Sequence, residues 1–522
     1  MSYIECEELL PDLWLLRDTC NVYVLKDGDR AVVIDFGSGA WLEQLPALGI
    51  SKIEHVLLTH HHSDQCAGLV KEASSSLVIH APVGEDFFLN PDHRSEFGPP
   101  PWYLMGCPPS YSPPPERVPG IAYDMSGNGH LYWRGRRIRF IDTPGHGPNA
   151  CSVVMDHEGR QIVFCGDAAH AGGTIWQPFH LEWDHWTGKG ALAAWEGVQR
   201  LRGIAIDLLC PSHGPVVREG AADMLEVLSD RLLRFYHAKG QISAGEADRW
   251  VRPEIMDCGA RKYSEHLYQF GGNGYLLLSS MGRTQSGGYE SSSGGGLVVD
   301  PTMPDMEMLE ALLEEIGGVT PEVMLVSHYH YDHYDAIPYL RERYGAEAWL
   351  HPQVAEPLRE PTKAFAPWLL SAEPLLPDHL WPDSGTWQWQ EFEFRIAHWP
   401  GQTWWHCVFM TIVDDRRVLF GGDSFTPSSK WNGTGGFCAY NGCRFEEGFV
   451  RSAQLVAEWE PEIIAAGHTN CYAFAPMKFS KIIAWAKEAE EAVRALCPSG
   501  DLAADYYCVR EVVRAHAAAE NS

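Results

Sequence analysis

The sequence predicts an α/β layered sandwich that occurs twice in one chain. Strand-like apolar runs alternate with helix-like segments in both halves of the 522 residues. In addition, four landmarks recur in one order, with offsets between 255 and 268 residues. They are an aspartate after a strand (Asp35, Asp300), a histidine cluster (starting at His60, His328), a Gly-Asp pair (Asp167, Asp423) and an isolated histidine (His213, His468). The nearly constant offset indicates duplication of one domain.

The length of the chain agrees with this division. A chain of 522 residues is too long for one ordinary hydrophobic core, and about two to four domains are expected. We place one domain at residues 1–250 and a second at residues 263–522, with the boundary between Gly240 and Lys262.

The first half opens with two strands. The runs Val22–Leu25 and Ala31–Ile34 have strand character, and the Lys26–Asp29 connection between them is typical of a hairpin turn. Further along, apolar residues at helical spacing predict helices over Ala191–Leu201 and Ala221–His237. Strands, a histidine cluster and then helices favour a layered α/β architecture.

The second half repeats this order. The runs Tyr275–Leu278 and Leu297–Val299 match the first two strands. Their connection includes the glycine- and serine-rich stretch Gly287–Gly296, which we interpret as a long flexible loop because it lies inside the repeated hairpin. A helix with one apolar face runs from Met308 to Ile316 and is expected to be capped by Asp305.

Long inserts rich in aromatic residues and proline follow the histidine cluster in each half, at residues 91–120 and 352–383. Two interpretations stay open for them. They form lids that select a substrate, or they cover the sheet or contact the other domain.

Composition excludes several kinds of partner. The formal net charge is −29, and no Lys/Arg cluster provides the basic patch that nucleic acid binding requires. No apolar stretch approaches the ~20 residues that span a bilayer, and the first residues lack the features of a signal peptide. The 14 cysteines form no CxxC pair, so reduced thiols are expected. We predict a cytoplasmic protein with a small-molecule substrate and neither nucleic acid nor membrane as partner; a homo-oligomer stays open.

Imidazole and carboxylate groups in the first half are predicted to converge on metal ions. Two histidines at i and i+2 follow a buried strand, and an aspartate lies two residues further on, so one short loop directs several side chains to one point. A dinuclear zinc site needs such ligands and open positions for water. The predicted ligands are His60, His62 and His146 for one ion, Asp64 and His213 for a second, and Asp167 as a bridge.

This order of motifs resembles the metallo-β-lactamase-fold superfamily, whose signature is HxHxDH, a lone His, a Gly-Asp and a final His. The resemblance covers nearly the whole chain, twice, and implies two tandem αββα four-layer sandwiches with metals at one edge of the sheets. The strings Thr143–Gly147 and Phe164–Asp167 look like the thiol-ester hydrolase and lactonase branches rather than the nucleases. In the second half the implied ligands are His328, His330, Asp332, His333, Asp423 and His468.

The two halves depart from the family pattern in complementary ways. Gln65 stands where the second-site histidine belongs, so the second ion of the first half is expected to be weak or absent. Gln402 stands in the slot of His146, since each lies 21 residues before the aspartate of the Gly-Asp pair. His398 and His406 lie four residues either side of Gln402. They either replace the missing ligand or are packing residues.

The resemblance and the ligand types predict a zinc-dependent hydrolase of a small ester, thioester, lactone or amide. One or two ions per domain are expected, with iron as the other candidate metal. Zinc lowers the pKa of its bound water to about 7, giving a metal-bound hydroxide that Asp64 and Asp332 are predicted to orient and deprotonate as catalytic residues. The first half is expected to be active, and the second is a second centre or a structural partner.

Two other functions stay open. One is an iron-dependent redox enzyme of the same fold, of the persulfide dioxygenase or oxygen-reductase type. The other is a non-catalytic scaffold with degenerate sites.

Overall fold

In the computed structural model the chain forms two compact units. The structure describes residues 4–72, 77–89, 116–118, 120–183, 187–239, 250–280, 295–364, 366, 368–369, 373–382, 384–425 and 437–512. Within these ranges the first unit comprises the residues up to Lys239 and those from Glu491 onward, and the second unit comprises residues 250–490. The limits 1–250 and 263–522 stay a prediction; the compact units differ from it by including residues 491–512 in the first unit.

Two sheets build the first unit. The larger sheet follows the order of the chain, antiparallel over its first four strands and parallel over the rest. Its strands are β1 (Glu5–Leu10), β2 (Leu13–Arg17), β3 (Asn21–Asp27), β4 (Arg30–Ile34), β5 (Lys52–Leu57), β6 (Val78–Pro82) and β7 (Ile121–Met125). The smaller sheet contains β8 (His130–Trp133), β9 (Arg136–Asp142), β10 (Cys151–His157), β11 (Arg160–Gly166) and β12 (Leu208–Pro211). In it β11 and β12 are parallel and the other neighbours antiparallel.

The second unit repeats this pair of sheets. Its larger sheet contains β13 (Glu254–Ile255), β14 (Arg261–Lys262), β15 (Leu267–Phe270), β16 (Gly274–Leu278), β17 (Gly295–Val299), β18 (Thr320–Leu325), β19 (Glu347–Leu350) and β20 (His379–Leu380). Its smaller sheet contains β21 (Ser384–Trp389), β22 (Phe392–His398), β23 (Cys407–Val413), β24 (Arg416–Gly422), β25 (Ile463–Ala466) and β26 (Tyr472–Ala473). The change from antiparallel to parallel pairing again occurs before the strand that leads into the histidine cluster, here β18.

Helices follow the strands in both units. The α-helices are α1 (Ser63–Cys66), α2 (Leu69–Glu72), α3 (Asp86–Leu89), α4 (Lys189–Arg202), α5 (Ala221–Lys239), α6 (Met306–Glu315), α7 (Ile337–Tyr344), α8 (Pro352–Arg359), α9 (Pro361–Ala364), α10 (Arg451–Trp459), α11 (Pro476–Leu496) and α12 (Leu502–Asp505). Short 3-10 helices cover Ala40–Gln44, Pro178–Leu181, Met303–Asp305, Tyr331–His333 and Ala439–Asn441, and a π-helix covers Phe445–Val450. No helix in these ranges is both long and apolar enough to cross a bilayer.

The hydrophobic core of the first unit lies between its two sheets. Buried side chains from the larger sheet, such as Leu15 and Val32, share one cluster with Val153 and Phe164 of the smaller sheet. The other face of the larger sheet packs with helical residues including Trp41. Because apolar residues alternate between the two faces of a strand, both faces can be buried at once. The fold is the αββα sandwich that the sequence predicted, present twice.

The C-terminal segment belongs to the first unit. The backbone N–H of Ile175 donates a 2.9 Å hydrogen bond to the carbonyl of Leu496. The hydroxyl of Tyr506 donates to the carboxylate of Glu182, and both residues are fully buried. Residues 491–512 therefore support the 175–182 stretch of the first unit.

Most sequence predictions of elements are confirmed, and one contact differs. Asp305 does precede α6, but its side chain makes no capping hydrogen bond to that helix. Its carboxylate instead accepts a 3.0 Å hydrogen bond from the N–H of Gly272, a neighbour distant in sequence. Gly295 and Gly296 begin β17, while residues 287–294 of the predicted loop and most of the 91–120 insert lie outside the described residues.

Candidate metal centres

The histidine cluster of each unit lies directly after a parallel strand, at the edge where the ends of several strands meet. In the first unit Asp35, which follows β4 with a left-handed φ of 55°, joins three of these ends. Its buried carboxylate accepts hydrogen bonds from the N–H of Thr59 (2.8 Å) and from the hydroxyls of Thr59 (3.0 Å) and Ser212 (2.6 Å). This network fixes the start of the His60 loop.

Three imidazoles of the first unit converge as predicted. Nδ1 of His62 lies 3.1 Å from Nε2 of His60 and 3.1 Å from Nε2 of His146. All three side chains are buried, and one nitrogen of each lies within 4.8 Å of the others. Nδ1 of His60 lies 2.9 Å from the hydroxyl of Thr59, which orients the ring.

These imidazoles are neutral over the physiological pH range. Burial lowers the pKa of His60 to about 3 and that of His146 to about 4. Burial also lowers the pKa of His62 well below its usual value. Neutral nitrogen atoms that face one another at 3.1 Å suit a bound cation, because only neutral imidazole donates a lone pair to a metal. The donor set of the first unit therefore fits zinc.

The predicted second-site residues of the first unit, Asp64, Asp167 and His213, lie in one hydrogen-bonded chain. His213 bridges two carboxylates, with Nε2 3.2 Å from Oδ2 of Asp64 and Nδ1 2.9 Å from Oδ1 of Asp167. Burial lowers the pKa of His213, but the charges and hydrogen bonds of Asp167 and Asp64 together more than offset it, and the net pKa is well above the usual value. The amide nitrogen of Gln65 donates to Oδ2 of Asp167 at 3.1 Å. Oδ2 of Asp167 also lies 3.7 Å from Nε2 of His60.

The second unit brings its predicted ligands together in two groups. One contains His328, His330 and Asp423, and the other contains Asp332, His333 and His468. Among these atoms, Nε2 of His328 is buried without a hydrogen-bond partner. Because a buried polar atom without a partner is costly, this atom also fits a cation.

Carboxylates orient the two imidazoles of the group formed by Asp332, His333 and His468. Nε2 of His468 lies 3.2 Å from Oδ2 of Asp332 and 3.2 Å from Oδ2 of Asp423. Nδ1 of His333 lies 3.1 Å from Oδ2 of Asp300, the counterpart of Asp35. Such an outer carboxylate leaves Nε2 of His333 available for a metal.

The two histidines near Gln402 do not join either group. Nε2 of His398 lies 2.7 Å from the carbonyl oxygen of Trp404. The ring of His406 stacks on His328 with centroids 4.8 Å apart, and its buried Nε2 has no hydrogen-bond partner. His406 therefore packs against His328, a predicted ligand, and belongs to neither of the two groups of converging ligand atoms.

Two residues beside the clusters were not found from the sequence. The ring of His180, in the 3-10 helix Pro178–Leu181, lies with its centroid 4.3 Å from that of His62 and 4.6 Å from that of His146. In the second unit Oδ1 of Asn441 lies 3.2 Å from Nε2 of His330. Neither residue has a recurrent spacing to the motifs, so only the folded chain shows their position.

The two units should respond differently to pH when they bind metal. The charge of Asp423 raises the pKa of His468 to about 10. A metal at His468 must therefore displace a proton at neutral pH, and affinity should rise by about tenfold per pH unit per displaced proton. The His60 group is already neutral above about pH 5, so its affinity should change little between pH 6 and 9. Competition with a chromophoric chelator over this range, on variants that keep one unit intact, measures both slopes; equal slopes would contradict the prediction.

Comparison with known proteins identifies the family of this chain. The family model of the metallo-beta-lactamase superfamily matches residues 15–213 and 289–468. The chain is 26% identical over 164 residues to a hydroxyacylglutathione hydrolase of Albidiferax ferrireducens, covering 31% of this chain and 48% of the relative. It is 26% identical over 165 residues to one of Ectopseudomonas mendocina, with the same coverage of 31% and 48%. The chain thus spans about half the length of these curated relatives.

A solved structure of similar fold is a subclass B3 metallo-beta-lactamase of Bradyrhizobium japonicum. It is 15% identical, with a TM-score of 0.34, and the match covers 45% of this chain and 92% of that chain. The family model itself covers well over half of the chain, in two segments that coincide with the two sets of converging histidines. The chain belongs to the metallo-beta-lactamase superfamily, with the domain of that family present twice.

Proposed function

We propose that this chain is a zinc-dependent hydrolase of a small ester, thioester, lactone or amide, and that its first unit is the active centre. The observation that carries the proposal is the convergence of three buried, neutral imidazoles, His60, His62 and His146, on one point. The superfamily match supports a metal-dependent hydrolase. The name of the curated relatives makes hydroxyacylglutathione one of the first substrates to test.

The three histidines of the first unit would hold the ion, and a bound zinc ion would supply a water of lowered pKa and a Lewis acid for the carbonyl oxygen. Thr59 keeps Nε2 of His60 directed at the cluster by contacting its Nδ1. Asp64 lies beside the cluster, with its side chain 29% exposed. It is therefore both close to the site and open to water, as a residue that orients the attacking water and accepts its proton must be.

Removal of metal tests the proposal directly. Hydrolysis of a panel of esters, thioesters and lactones should be lost after chelation and should return when zinc is added, because the imidazoles alone provide no nucleophile. Elemental analysis of protein produced without added metal identifies the native ion. Stoichiometric iron with little zinc would favour the redox alternative, and absence of metal-dependent turnover on every substrate would favour the scaffold.

A further inference from the structure

Each unit has a glutamine at one position where the other unit has a histidine that is a predicted ligand. Gln65 occupies the place that His333 takes in the second unit, since each is the fifth residue after the first histidine of its cluster. Gln402 occupies the place of His146. The surrounding backbone is equivalent, because the N–H of Cys151 bonds to the carbonyl of Thr59 and the N–H of Cys407 bonds to that of Ser327 in the same way.

In the first unit Gln65 weakens the second subsite, which is the place beside Asp64, Asp167 and His213 where a second ion is predicted to bind. Its amide nitrogen donates to Asp167, and its buried amide oxygen has no hydrogen-bond partner. A neutral amide is not among the usual zinc ligands, which are thiolates, imidazoles and carboxylates. Among the described residues of this unit, only His60, His62 and His146 form a convergent group of three ligands.

In the second unit the second subsite is the better equipped one. Asp332, His333 and His468 form a convergent group, and Asp423 reaches both imidazoles, at 3.3 Å from His333 and 3.2 Å from His468. Asp300 holds Nδ1 of His333, so that its Nε2 faces the other ligands.

The first subsite of the second unit lacks its third imidazole. His328 and His330 remain, and Asp423 must be shared with the other subsite. The backbone carbonyl of Gln402 is held by the amide of Asn441 at 3.1 Å, while the side-chain oxygen of Gln402 is buried without a partner. No imidazole from the described residues replaces the missing ligand.

We infer that the two units fill opposite subsites first: the first unit binds its ion at His60, His62 and His146, and the second unit binds its ion at Asp332, His333 and His468. Two glutamines, Gln65 and Gln402, are the determinants of this selectivity. The inference rests on the metal dependence that is proposed above. It does not depend on which substrate is hydrolysed or on which unit is active.

Metal content of the full-length protein tests the inference without any substrate. After dialysis against a weak chelator, the wild-type chain should retain about two zinc ions, one per unit. Gln65→His and Gln402→His should each raise this to about three. Gln65→His adds an imidazole to the second subsite of the first unit, and Gln402→His adds the third imidazole to the first subsite of the second unit. Gln388→His is the matched control, since Gln388 is exposed on β21 and should leave the content at about two.

Two removal variants keep the inference testable if an added histidine disturbs folding. His333→Gln should lower the content to about one ion per chain, whereas His328→Gln should leave it at about two. About four ions in the wild type, no gain in either glutamine variant, or the reverse order of the two removal variants would overturn the inference. Metal contents as expected but no hydrolysis would overturn the proposed function and leave this inference standing.

Discussion

Replacing His60 with alanine is expected to lower kcat/KM for the best substrate by about a thousandfold or more, or roughly 4 kcal/mol of transition-state stabilisation. Nε2 of His60 is one of three nitrogens that face each other in the first unit, and its loss leaves two. Two imidazoles hold zinc far less tightly than three, so the ion should be lost together with the activity. Steady-state kinetics and the zinc content of the same preparation measure both effects.

His328→Ala is the matched control, because His328 begins the equivalent cluster of the second unit. This variant should keep most of the activity if the first unit is the active centre. Loss in His328→Ala alone would place the centre in the second unit, and equal partial losses would indicate two working centres. Full activity in both variants would exclude the His60 site as the catalytic centre and leave only the site at Asp332, His333 and His468, which His328→Ala does not remove.

Replacing Asp35 with alanine is expected to destabilise the first unit by about 4 kcal/mol. The carboxylate of Asp35 is 1% exposed and accepts hydrogen bonds from both Thr59 and Ser212. Without it, the backbone N–H of Thr59 and the hydroxyls of Thr59 and Ser212 lose this buried acceptor. Alanine also tolerates the left-handed φ of 55° less well than aspartate. Urea unfolding should show a transition at lower denaturant concentration.

Two variants separate the causes of this effect. Asp35→Asn keeps one acceptor oxygen and tolerates the left-handed backbone, so it should cost about half as much. Asp12→Ala removes an exposed aspartate with a similar φ of 62° and only a 3.9 Å surface ion pair to Lys26, so it reports chiefly the backbone strain. An Asp35→Ala variant that unfolds at the wild-type denaturant concentration would show that this network adds nothing to stability.

The sequence alone predicts those residues of the two centres that follow a short spacing or recur in both halves of the chain. His60 and His62 are two residues apart after a strand, and this spacing places both side chains in one short loop. Asp167 and His213 were found because their counterparts recur at nearly the same offset. The repeated order of motifs thus made distant candidate ligands recognisable in a single sequence.

The remaining residues depend on tertiary packing. Asn441 contacts His330 from a 3-10 helix far along the chain, and His180 reaches its place beside His62 through another short helix. Neither carries a spacing signal, and both residue types are common in loops. The carboxylate of Asp305 likewise bonds to Gly272 rather than to its own helix, because a tertiary partner offered a better geometry than the local one.

The return of residues 491–512 to the first unit has a consequence for biosynthesis. A ribosome must translate the whole second unit before the partners of Ile175 and Glu182 emerge from its exit tunnel. Domains usually fold in the order in which they are made, but here the first unit is complete only after residues 491–512 have been made. A gene cut between the two units would therefore separate the first unit from residues 491–512, although the family domain occurs twice in the chain.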